Sequence, residues 1–272
     1  MDIMNRLSPE RFREVDDVLA FISIYDDVER AYAYRQLLYS LQGLIQNAVC
    51  VEAGCGFGWF SAEMARLGAR KVYAVEQNAV LVEMARERLA EFPQIEVIHS
   101  PIQDFIPPEP VDFLLHEFYG QLLYDEDLHY LNQLKFQPRY VAPNGGELLA
   151  GIYPAKDFTD SVVTLDVLQR LDGVLISGLF DDTEAELTFP VMRWRYGQPF
   201  DLEQSYRLPE VSGELLAFGV QISHDERPVC RAGVCENWSY VWTYRSGEAF
   251  QFTFYPGQAG EEVAFTWLDP AQ

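Results

Sequence analysis

Compact apolar runs of four or five residues recur through the first half of the chain, separated by stretches whose apolar positions fall at helical spacing. The runs are Ala48 to Val51, Val72 to Val75, Ile95 to Ile98 and Val111 to Leu115. They carry few polar residues, so each predicts a strand covered on both faces. Trp59 to Leu67 and Ala79 to Glu91 predict helices between them, and Tyr130 to Tyr140 predicts one more before a strand over Gly146 to Tyr153. Two helices are predicted ahead of this alternation. The first opens at Ser8-Pro9, a hydroxyl cap followed by a residue suited to the first helical position. The second covers Asp26 to Leu44, with its acids at the end where they suit the helix dipole. Strands alternating with helices predict a parallel sheet packed on both faces.

Past Pro154 the pattern changes. Short aromatic and β-branched runs broken by turns (LTFPVMRWRYG, LLAFGVQIS, EVAFTWL) predict an antiparallel, β-rich region, led in by a helix over Phe158 to Leu171. Tyr240 to Tyr255 places Arg-Ser-Gly-Glu between two alternating runs and predicts a hairpin. The expected organisation is an N-terminal helical segment over 1–46, a Rossmann-like α/β domain over 47–153 and a β-rich domain over 154–272.

Composition narrows this picture. A chain of 272 residues, 49% hydrophobic, is long enough for two cores. No apolar run approaches the roughly 18 residues of a membrane span. The N-terminus alternates charges and lacks the apolar centre of an export signal, so a cytoplasmic protein with reduced thiols is expected, and no membrane partner. Of the four cysteines, Cys230 and Cys235 stand close together without a second pair or a histidine cluster. They predict two ordinary thiols and no metal site. The formal net charge is −22, with 12 Lys+Arg against 23 Asp+Glu in residues 1–154 and 8 against 19 in the remainder. So general an acidity argues against nucleic acid as a partner and for a cationic one, although it also serves solubility.

The candidate chemistry centres on Glu52-Ala-Gly54-Cys-Gly56-Phe-Gly58, between the first predicted strand and its helix. Glycines there permit a sharp turn and let a ligand approach the backbone. Glu76 falls 22 residues after Gly54, at the end of the next strand, where a carboxylate can accept hydrogen bonds from two ribose hydroxyls. The alternating glycines differ from the G-x-G-x-x-G of dinucleotide enzymes, with a dehydrogenase remaining the other reading of the cofactor turn alone.

The E-x-G-x-G-x-G turn resembles motif I of class I S-adenosylmethionine-dependent methyltransferases. Four further stretches resemble the protein arginine methyltransferases in order and spacing: Arg30-Ala-Tyr-Ala-Tyr-Arg35, Gly68-Ala-Arg-Lys-Val-Tyr-Ala-Val-Glu76, Glu117-Phe-Tyr-Gly-Gln-Leu-Leu-Tyr-Asp-Glu126 and Tyr140-Val-Ala-Pro-Asn-Gly-Gly. The resemblance implies a seven-stranded Rossmann-like domain followed by a barrel-like domain, with S-adenosylmethionine as cofactor. Its cofactor set would be Arg30, Glu52, Gly54, Gly56, Gly58, Glu76, Gln77, Ile102, Gln103 and Glu117. Its double-glutamate loop implies Glu117 and Glu126 as the catalytic pair holding a substrate guanidinium.

Two carboxylates at nine-residue spacing suit that task, because an arginine stays protonated at working pH and its nitrogens are poor nucleophiles. Bidentate carboxylates can draw the charge to one side of the fork and aim one nitrogen at a methyl group. Two such acids without a cation would repel each other.

The chain also departs from that family. Residues LAFISIYDDVER stand where it carries a Tyr-Phe-x-x-Tyr segment, with Phe21 and Tyr25 as partial substitutes. Glu236-Asn237-Trp238 stands where the barrel has Thr-His-Trp. His129, Asn237 and Trp238 are therefore the candidate substrate-side residues, with His116 a further histidine beside the loop. No inserted helical arm for the family's usual dimer is evident, which leaves a dimer open. The expected function is N-methylation of a protein arginine or another guanidine or amine. A small-molecule N- or O-methyltransferase, or a methyltransferase-like binding module, remain alternatives.

Overall fold

A computed structural model describes residues 8–178, 187–235, 238–257 and 263–268. It divides the chain into two compact units, residues 1–117 with 133–142, and residues 118–132 with 143–272.

The first unit begins with helix α1 (Pro9–Asp26), capped as its sequence predicts by Ser8, whose hydroxyl accepts from the Arg11 amide at 3.2 Å. Asp27 interrupts the helical run and caps α2 (Val28–Ser40), accepting from the Arg30 amide at 2.9 Å; the short α3 (Gln42–Ile45) follows. Asp27 thus separates the two expected helices, its buried side chain capturing a free amide at the break, and the second, expected to run to Leu44, ends at Ser40 with α3 after it.

The α/β alternation then follows the predicted order: β1 (Val49–Ala53), α4 (Trp59–Arg66), β2 (Lys71–Glu76), α5 (Ala79–Leu89), β3 (Ile95–His99), β4 (Phe113–His116) and β5 (Tyr140–Ala142). The sheet is parallel throughout, in the order β3-β2-β1-β4-β5. β1, β4 and nearly all of β2 are buried, as their unbroken apolar runs require. The strand order reverses between β1 and β4, and in such sheets ligands bind outside the carboxyl ends of the strands at that reversal.

Five strands stand where seven were expected, and the division falls elsewhere than at residue 153. The strand predicted as the last of the α/β domain, β6 (Gly145–Tyr153), pairs antiparallel with β10 (Leu215–His224) and β8 (Phe189–Arg195) in the second unit. The predicted helix over 130–140 is a 3-10 segment at Asp127–Asn132 only. Pro138 disfavours helix for the residue before it, and the Arg139 and Tyr140 amides go to the carbonyls of Val111 and Asp112.

In the second unit a six-stranded antiparallel sheet runs β7 (Ile176–Ser177), β12 (Val241–Tyr244), β10, β6 and β8, with β11 (Arg227–Arg231) also paired to β10. A three-stranded sheet joins β9 (Glu203–Arg207), β13 (Ala249–Phe254) and β14 (Val263–Trp267). The predicted hairpin over 240–255 is absent. Its two strands are β12 and β13, which join different sheets, because the Arg245 amide turns away to the Glu214 carbonyl. The helix expected over 158–171 shrinks to α6 (Leu165–Gln169), since Asp160 binds the amides of Val162 and Val163 and closes a turn instead.

Cys230 and Cys235, expected as thiols, are bonded to each other with their Cα atoms 6.4 Å apart; Cys50 and Cys55 are free and buried. Among the described residues no helix is long and apolar enough to cross a membrane.

Candidate active site

The turn after β1 is built around glycines with positive φ: Gly54 at 69°, Gly56 at 51° and Gly58 at 73°. Gly56 is constrained twice. Its backbone is left-handed, and a Cβ there would stand 2.5 Å from the Phe21 ring of α1. Tyr25, one turn further along α1, stacks on Phe57 at 5.1 Å between ring centres, accepts from the Phe57 amide at 3.2 Å and donates to the Cys55 carbonyl at 3.4 Å. Phe21 and Tyr25, read from the sequence only as partial substitutes, thus both seat on the glycine turn.

Glu76 closes β2 as expected, and its buried carboxylate is held by two amides. Oε2 accepts from Gly56 at 2.9 Å and Oε1 from Asn78 at 2.8 Å. The two bonds fix the group as an oriented acceptor next to the turn. Ile102 is buried and Gln103 partly so in the 3-10 segment Ile102–Asp104 after β3; Gln77 is exposed, and its carbonyl meets His99 Nε2 at 3.1 Å.

Glu52 sits deeper than a ligand-facing acid. Its Oε2 receives both the amide and the hydroxyl of Ser61 on α4, a partner that sequence spacing could not reveal. Burial pushes its carboxyl up to about 8 against the pull of those hydrogen bonds, and the negative charges of Glu117 and Glu76 add to the rise. A carboxyl raised in the folded chain keeps its proton where the unfolded chain, at its ordinary 4.5, has lost it. Stability should therefore fall as pH rises from about 4.5 towards 8. The expected result for Glu52→Gln is a flatter dependence, with the midpoint gaining on wild type by several degrees at the alkaline end. Thermal unfolding of both proteins across that range checks it, and parallel curves would reject a proton on Glu52.

Directly after β4, Glu117 accepts from Arg30 Nε at 2.9 Å. Arg30 lies on α2 with its side chain only 6% exposed, against 21% for Glu117. A largely desolvated, charge-assisted contact of this kind is far stronger than a surface pair. His116, buried at the last position of β4, precedes it. The glycine turn, Glu76 and the Arg30–Glu117 pair thus gather at the carboxyl ends of β1, β2 and β4, where the strand order reverses.

The other candidates belong to the second unit. Residues 119–125 form a tight loop: Leu122 donates to Asp125 Oδ1 at 2.8 Å, and Leu123 is fully buried with φ 74°. At Gly120 an added Cβ would stand 2.1 Å from Asp125 Oδ1, so a larger residue there would displace the carboxylate that holds the loop. The Tyr119 hydroxyl donates to the Gly145 carbonyl at 3.1 Å, and the Trp238 indole N–H donates to the Tyr119 carbonyl at 3.0 Å. Trp238, expected on the substrate side, is 2% exposed and positions this loop. Glu126 is exposed, and its carbonyl meets His129 Nδ1 at 3.1 Å, with the imidazole against the Tyr130 ring. Asn237 lies outside the described residues.

A family model described as a methyltransferase domain matches residues 50–135, the stretch holding the glycine turn, Glu76 and both glutamates of the loop. Residues 50–135 are a class I methyltransferase domain. This methyltransferase domain is similar in sequence to probable protein arginine N-methyltransferase 6 of Arabidopsis thaliana, with 31% identity over 122 residues, 44% of this chain and 28% of that protein. It is also similar to ribosomal protein arginine N-methyltransferase rmt3 of Schizosaccharomyces pombe, with 32% identity over 129 residues, 46% of this chain and 23% of that protein. The matched regions thus span about a quarter of those relatives' lengths.

Solved structures extend the likeness in fold beyond the methyltransferase domain. The Trypanosoma brucei PRMT1 enzyme–prozyme complex with AdoHcy matches with a TM-score of 0.68 at 15% identity, covering 93% of this chain and 94% of that one. A crystal structure of PRMT6 matches with a TM-score of 0.71 at 13% identity, covering 92% and 98%. The arrangement of a Rossmann-like domain followed by a β-rich domain is therefore that of the protein arginine methyltransferases.

Proposed function

We propose that the chain is an S-adenosylmethionine-dependent methyltransferase that transfers a methyl group to a nitrogen of a guanidinium, most simply a protein arginine. The observation that carries this reading is the pairing of the buried Arg30 with the half-buried Glu117 at the reversal point of the sheet. It sets a cation suited to an amino-acid carboxylate beside the first of two glutamates spaced for a guanidinium fork. The donor set also suits an adenosine. Glu76 is an oriented carboxylate for ribose hydroxyls, the exposed Gly54 at the start of the turn lets a ligand approach the backbone, and Ile102 and Gln103 offer an apolar and a polar group for adenine.

When bound, S-adenosylmethionine supplies a methyl group on a sulfonium, and the protein's own contribution is position and charge. Glu117 and Glu126 hold the cationic acceptor in bidentate contacts, draw its positive charge to one side and leave one nitrogen richer in electrons for in-line attack. That nitrogen gains the methyl and gives its proton to solvent, so the methylated guanidinium keeps a single positive charge and S-adenosylhomocysteine is the other product. Trp238 and Tyr119 hold the loop that carries Glu126 in shape.

The test is transfer of labelled methyl from S-adenosylmethionine to Arg-rich peptides, with the same peptides carrying lysine in place of arginine as controls. Methylated arginine is the expected product, with the lysine peptides unlabelled. A protein that binds S-adenosylhomocysteine but labels only small amines or hydroxyl compounds would replace the arginine reading with that of a small-molecule methyltransferase. One that binds no S-adenosylhomocysteine would be a binding module.

A further inference from the structure

Tyr34 lies on α2 one turn after Arg30, on the same helical face. It is fully buried, with its ring stacked on Phe60 of α4 at 5.5 Å. Its hydroxyl has no hydrogen-bond partner among the described residues. Such a group has lost its water without replacing it, and buried hydroxyls in folded proteins are nearly always bonded. Phenylalanine would fill the same space without that cost, so tyrosine at this position calls for a partner that binds there.

The surroundings indicate its charge. The hydroxyl is held well above the ordinary tyrosine range, chiefly by burial and then by the negative charge of Glu117, while the positive charge of Arg30 works the other way. It therefore stays protonated, a donor within the field of Arg30, a buried cation suited to a carboxylate.

We propose that Tyr34 is a further binding residue for the donor, its hydroxyl donating to the amino-acid carboxylate that Arg30 attracts. This rests on the cofactor reading above and extends it to a tyrosine of the Arg30 to Arg35 stretch, to which sequence spacing assigned no role. A neutral donor beside a guanidinium adds direction to the charge, so a carboxylate is fixed in orientation as well as attracted.

Calorimetry with two ligands tests it on wild type and Tyr34→Phe. S-adenosylhomocysteine carries the carboxylate, and 5′-methylthioadenosine has the adenosine and sulfur without it. Tyr34→Phe should weaken S-adenosylhomocysteine about tenfold, leave methylthioadenosine unchanged, and melt at or above the wild-type temperature without ligand. Unchanged affinity for S-adenosylhomocysteine would overturn the proposal, as would equal weakening of both ligands or a lower melting temperature, which would mark Tyr34 as structural. A wild type that binds neither ligand would reject the cofactor reading itself, and this role of Tyr34 with it.

Discussion

Glu117→Gln should lower methyl transfer by at least about a hundredfold, the scale on which removing one preorganised charged partner of a reacting group acts. The substitution keeps the shape of the side chain and removes its charge. Arg30, buried with its Nε on Glu117, then loses an anionic partner, so cofactor affinity should also change, though by a smaller factor. Glu126→Gln should lower turnover comparably and leave S-adenosylhomocysteine affinity at the wild-type value, because Arg30 takes its carboxylate from Glu117. Initial rates with labelled donor, paired with calorimetry, separate the two variants. Turnover within threefold of wild type in either one would remove that residue from the clamp.

Phe250→Ala should cost about 3–5 kcal/mol, the usual loss for deleting a fully buried ring. Phe250 on β13 is 0% exposed and meets five other aromatic side chains at centroid distances from 5.4 to 6.1 Å. Four of them, Tyr206, Phe252, Phe265 and Trp267, belong to the three-stranded sheet, and the fifth, Phe218, belongs to β10 of the six-stranded sheet. The ring therefore joins the two sheets of the second unit, and its loss leaves a cavity that rigid strands cannot close. Denaturant unfolding should show the whole loss, with Phe250→Leu costing much less. A Phe250→Ala penalty below about 1 kcal/mol would mean that the aromatic cluster repacks freely.

The α/β half was legible because its signals are local. Gly54, Gly56 and Gly58 mark a turn that ordinary residues resist, and Ser8 and Pro9 start a helix by chemistry contained within four residues. Strand partnership is a different kind of information. Alternation in Ala249–Phe254 indicates which side chains face inward and says nothing about which neighbour the strand takes. Gly145–Tyr153 has the same ambiguity, and it went to the antiparallel sheet through its register with β10.

In the site, the acids were readable by type and spacing, while their functions depend on partners far away in sequence. Glu52 and Glu76 look alike in the chain. Burial keeps the first protonated against the pull of the Ser61 hydrogen bonds, and two backbone amides make the second an oriented acceptor. Tyr34 stood in the sequence as part of the Arg30 to Arg35 stretch with no role of its own, because what distinguishes it is a partner its hydroxyl lacks among the described residues.

The Arg30–Glu117 pair makes the two halves of the proposed reaction thermodynamically linked. In the structure each group neutralises the other. An incoming carboxylate that engages Arg30 loosens its hold on Glu117 and leaves that glutamate readier for a cation. A guanidinium on Glu117 likewise frees Arg30 for the carboxylate. The two effects must be equal in free energy, whichever ligand arrives first. A single ion pair between α2 and the end of β4 is thus enough to make methyl donor and methyl acceptor each raise the affinity for the other.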